Sequence, residues 1–191
     1  MLTTSYECDE RAITVPYDPI FDEVRGNSGF VDVRGRSDLA AQIPEGSGSR
    51  SLKMLLTALS ETTSPVFTLG CDLGTHEESE QGTLLYGAGG YVQVMKANFA
   101  STGSEEYLAL AQAISKELEP KSAYHHWELR HVHTWVDFRL GFHSGIIPSL
   151  WIWFIAREQT PAAAAASREI LIAELHSALT TATITPVPTS P

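Results

Sequence analysis

The residues best placed to do chemistry are His131 and His133, separated by one valine. On a strand, positions i and i+2 point to the same side with Cα atoms roughly 6–7 Å apart. Both imidazoles can then reach one metal ion, and zinc is the ion this pair suits. A catalytic zinc needs a third protein ligand, and nothing local supplies it. Asp137 shares the face but lies about 13 Å further along the strand, while His76, His125, His126 and His143 join only through tertiary contacts. The chemistry on offer is a zinc-dependent hydrolase, set against the plainer reading of partly packed histidines on a strand.

The same stretch also reads as a binding surface. His131, His133, Trp135, Asp137 and Arg139 alternate with Val132, Thr134, Val136, Phe138 and Leu140. Such period-two alternation predicts a half-buried strand with the first set outward. Tryptophan beside arginine and histidine is the composition of an interface anchor. A second candidate is the acidic run around Glu77, Glu78 and Glu80, read as a loop able to dock a Lys/Arg-rich partner. It lacks the spacing of a calcium loop. Gly87–Gly90 lacks the phosphate-loop pattern and reads as a hairpin connection, and Ser144 has no nucleophile-elbow frame. Trp151 and Trp153 share one strand face and are expected beneath the helices, with Leu150, Ile152 and Phe154 opposite.

Composition bounds these readings. The 191 residues are 43% hydrophobic and 19% charged, globular values for one domain. A formal charge of −10 argues against nucleic acid as a partner. Residues 1–80 carry a net −8 and residues 81–191 only −2, so the front of the chain is the part that would steer a basic protein. The plainer reading of that acidity is solubility. Cys8 and Cys71 lie far apart without a CxxC partner, which fits a reducing compartment; Cys71 reads as a small buried hydrophobe. Met1–Arg11 is not a signal peptide, and no apolar run approaches a membrane span, so a cytoplasmic location is expected.

The elements that position these residues follow from pattern. Residues 1–50 are irregular, with short strands at 12–15 and 29–33, helical turns near 37–42 and a flexible Gly46–Ser49 run. Leu52, Leu55, Leu56 and Leu59 define a helix face, and 66–73 a strand with Phe67, Leu69, Cys71 and Leu73 inward. Ser104 caps a helix with Tyr107, Leu110, Ala111, Ile114 and Leu118 buried. Residues 149–157 are apolar on both faces, hence central in a sheet, and Thr160-Pro161 opens a helix to about Leu179. The expected fold is a single α+β domain over residues 1–182, followed by a disordered tail at 183–191. Its mainly antiparallel sheet has five to six strands and three helices, arranged as two β-β-α units. The leading functional expectation is a non-catalytic protein that sequesters or inhibits a basic partner, such as an immunity protein neutralising a cationic toxin. A zinc enzyme using His131 and His133 is the alternative, and a structural or phage-encoded accessory subunit a third.

Overall fold

A computed structural model describes residues 2–7, 14–21, 26–80, 82–118, 125–137 and 144–184. The main sheet contains β1 (Leu2–Glu7), β4 (Val66–Glu80), β5 (Thr83–Lys96), β6 (His125–Val136) and β7 (Gly145–Glu158), in the order β1-β6-β7-β5-β4. β1 runs parallel to β6 and the other neighbours are antiparallel. Two-residue strands β2 (Ile20–Phe21) and β3 (Gly26–Asn27) form a separate ribbon. The helices are α1 (Ser37–Ala40), α2 (Arg50–Leu59), α3 (Ser104–Glu117) and α4 (Pro161–Ile184).

The α+β class and the antiparallel sheet are as expected. The detail differs, with four antiparallel strands joined by parallel β1, and a fourth, one-turn helix. From β4 onward the order is β-β-α-β-β-α, and the second strand of each hairpin, β5 or β7, lies at the centre. α4 continues to Ile184 rather than stopping near Leu179, and 185–191 lie outside the described residues. No helix among the described residues is long and apolar enough to cross a membrane.

Local chemistry explains the helical layer. All four leucines of α2 are buried, as their spacing requires. Ser49 caps this helix, its Oγ accepting from Leu52 N at 3.0 Å, and Glu169 Oε2 of α4 accepts from Ser51 N at 2.9 Å. The Gly46–Ser49 run is therefore no flexible linker. It belongs to a 3-10 turn, Pro44–Gly48, and to the cap that ties α2 to α4. Thr160 Oγ1 accepts from Ala163 N at the start of α4, whose Leu171, Ile172, Leu175 and Leu179 are buried.

Away from the Asp72–Glu80 end of β4 the sheet is covered on both faces, and this reverses the expected orientation of two strands. Leu150, Ile152 and Phe154 of β7, with Trp127 and Leu129 of β6, face the helices. Trp151 and Trp153 lie on the other side, both ring-to-ring with Tyr91 at 4.9 Å. A second core there gathers Val15, Phe67, Leu69, Met95, Phe99, Val136 and Ile147. Between this core and the tryptophans, Gln93 Nε2 donates at 2.9 Å to both Thr134 Oγ1 and Ser149 Oγ, a buried and satisfied polar triad. Alternation shows that the two faces differ; it does not say which one the helices cover.

Two features of the β4–β5 hairpin also depart from expectation. Gly87–Gly90 is not a turn but the middle of β5. A Cβ at Gly89 would lie 2.3 Å from Phe154 O, one at Gly90 2.0 Å from Asp72 O, and one at Gly87 2.3 Å from the His76 ring. These glycines let backbones and a ring approach where any side chain would intrude. The acidic run is strand too, β4 extending to Glu80 before a turn with Gly82 at φ 82°. Within β4 the register slips between Thr68 and Gly70, so Leu69 is the extra residue of a bulge. Phe67 and Leu69 consequently enter the second core, while Cys71 and Leu73 pack against the helix-side core.

Candidate functional site

The histidine strand forms as β6, but the side carrying His131 is not outward. His131 is 2% exposed, with its ring 6.0 Å from that of Tyr107 on α3 and 5.3 Å from that of His133. Both faces of β6 are covered over most of its length, which corrects the reading of one solvent-facing side. Among the described residues no group of three or more His, Cys, Asp or Glu side chains is placed to hold a metal ion. His131 and His133 are thus neighbours on a packed strand without a third partner of that kind among the described residues.

Burial, then the neighbouring His133, holds the His131 imidazole below its ordinary range. The unfolded chain, with its histidine near 6.5, therefore binds more protons than the folded chain below that pH. His131 contributes stability that is full above about pH 6.5 and fades as the pH falls toward the folded value. The urea midpoint of His131→Phe should consequently lose less than that of the parent chain on acidification from neutral pH to about 5.5. Parallel midpoint curves for the two proteins would remove this role.

Trp135 is exposed, as expected, and sits directly across from exposed Ile146 of β7, next to half-buried His133. Asp137 follows at the strand end, where its N–H donates to Val15 O at 2.7 Å. Arg139 lies outside the described residues.

The acidic candidates occupy a different place. β4 is an edge of the sheet, and from Asp72 to Glu80 its exposed side chains include Asp72, His76, Glu77 and Glu80. Glu78 is committed within the fold: its carboxylate accepts from Arg157 of β7, and His76 lies 3.8 Å from it. The segment Cys71–Met95 contains four acids and no lysine or arginine. Glu77 pairs with Tyr86, which pairs with Glu158, whereas Trp135 pairs with Ile146 at the opposite end of β7. From Ile146 to Glu158 a strand covers about 40 Å. The structure therefore separates Trp135 from Glu77 and Glu80, and the two halves of the expected surface are not one patch.

A feature that the sequence did not reveal adjoins the acidic edge. At the bulge, Gly70, Cys71 and Asp72 line a cavity of about 120 Å³ together with Tyr17, Glu45 and Tyr91. A Cβ at Gly70 would lie 3.3 Å from the Tyr17 hydroxyl and 3.7 Å from that of Tyr91, so both hydroxyls converge over this glycine. The Tyr91 ring is backed by Trp151, parallel within 6°, and Tyr17 meets Phe30 edge-on. Burial pushes the Cys71 thiol up to about 12, with Glu45 and Asp72 adding to the effect. Burial likewise raises both tyrosines, with Cys71 and then Glu45 acting on Tyr17, and Tyr17 and then Asp72 on Tyr91. The cavity thus disfavours further negative charge. No family model, curated protein or solved structure matches this chain, so the functional reading rests on its own geometry.

Proposed function

We propose that this chain is a non-catalytic protein-binding protein that sequesters a basic partner, in its most specific form an immunity protein neutralising a cationic toxin. The observation that carries this reading is the acidic edge of β4. Its exposed Asp72, Glu77 and Glu80 stand along a strand that has no neighbour on its outer side among the described residues. An edge strand offers backbone donors and acceptors to an extended segment of another protein, and carboxylates select a segment bearing lysine or arginine. The same charges oppose edge-to-edge pairing between copies of this acidic chain.

Trp135 and Ile146, at the far end of the sheet, are not part of this docking surface. The test is capture of the partner from the native cell, followed by binding measurements on the purified pair. Affinity should fall as salt rises and when Glu77 and Glu80 are reversed in charge. A complex indifferent to both would rule the electrostatic reading out.

A further inference from the structure

The cavity beside β4 has a chemistry of its own. Among the described residues lining it there is no lysine, arginine or histidine, while Glu45 and Asp72 bring carboxylates and Tyr17 and Tyr91 bring hydroxyl oxygens. We propose that it is a binding site for an alkylammonium group, such as the end of a lysine side chain. An anion finds no cation there, and a neutral guest makes no use of the charges of Glu45 and Asp72. An ammonium offers three N–H donors, which the two converging hydroxyls and Glu45 can accept, with the tyrosine rings alongside.

Size points the same way. A volume of about 120 Å³ holds several water-sized groups at roughly 10–15 Å³ each. That is room for an ammonium with its last methylenes. The compact ammonium also suits the site better than a planar guanidinium, because Trp151 already occupies one face of the Tyr91 ring. The bulge makes the space available: Leu69 is diverted into the second core and side-chain-free Gly70 is left beneath the hydroxyls.

The amine has two possible sources, a free small molecule or a lysine of the partner docked on β4, and the second rests on the reading above. The experiment follows amide NMR shifts in the full-length chain with n-butylamine, with its neutral counterpart n-butanol, and with a lysine tripeptide beside its norleucine analogue. Saturable shifts at Gly70, Cys71 and Asp72 with butylamine and not butanol are expected. Glu45→Gln should weaken them about tenfold, and Tyr17→Phe somewhat less. Equal response to butanol, no saturation, or an undiminished response in a folded Glu45→Gln chain would overturn the site. Binding of butylamine and the lysine peptide supports a docked lysine. Binding of butylamine alone keeps the site for free amines and removes it from docking. Charge reversal at Glu77 and Glu80 leaves the butylamine result unchanged, so failure of the docking reading and failure of the cavity are told apart.

Discussion

Gly90→Val is expected to abolish the folded state or cost at least about 4 kcal/mol, the range of the most damaging single substitutions. β5 lies between β4 and β7, with Gly90 opposite Leu73 on one side and Phe154 on the other. A Cβ there would meet Asp72 O at 2.0 Å and a Leu73 methyl at 2.9 Å. The first obstacle is backbone held in the sheet ladder, so it cannot rotate away as a surface side chain would. Overpacking of this kind usually costs about 1–3 kcal/mol, and a β-branched residue against backbone belongs above that range. A natural domain has only about 5–15 kcal/mol in reserve. The control is Gly74→Ala on the neighbouring strand, where an added Cβ meets nothing within 4 Å; its effect should stay within about 0.5–1 kcal/mol. Urea unfolding followed by circular dichroism reads both. A Gly90→Val chain with the parent midpoint would show that β5 does not run through its glycines.

The second large effect concerns binding. Glu77→Lys together with Glu80→Lys should lower the association rate with a basic partner by about 10–100-fold at low salt. Both side chains are exposed, so stability should change by no more than about 0.5 kcal/mol. Glu78 is left out deliberately, because its carboxylate is held by Arg157 and reversal there would disturb the sheet as well. The parent complex should lose affinity steadily with added salt, and the reversed chain should show a flatter dependence. An association rate that ignores the reversal contradicts the edge as the steering surface.

How much of this was legible in the sequence varies with the element. Helices α2, α3 and α4 follow from leucine and alanine spacing and the Thr160-Pro161 start, all local signals, although Ser104 is the first residue of α3 and not its cap, which is Gly103 without a side-chain hydrogen bond. The central place of β7 follows from its apolar character on both faces. The orientation of β6 and β7 does not, because a second core of Val15, Phe67, Leu69, Met95, Phe99, Val136 and Ile147, with Tyr17 and Phe30 packed against it, makes both faces partly apolar. Gly87–Gly90 has turn composition, and only the distances to Phe154, Asp72 and His76 show why a strand needs it. Glu77 and Glu80 were readable as acidic and exposed, whereas Glu78 was not readable as spent on Arg157, a residue 79 positions away. The cavity was not readable at all. Tyr17, Glu45, Gly70 and Tyr91 come from four separate segments, and the bulge that joins them is a register slip, not a motif.

Hydrogen exchange on the chain with its captured basic partner tests the docking edge most directly. Amides of β4 between Asp72 and Glu80 should gain protection in the complex, since an added segment would cover the outer side of that strand. Protection confined to Trp135–Asp137 and Ile146, with β4 exchanging as it does in the isolated chain, would place the partner at the other end of the sheet.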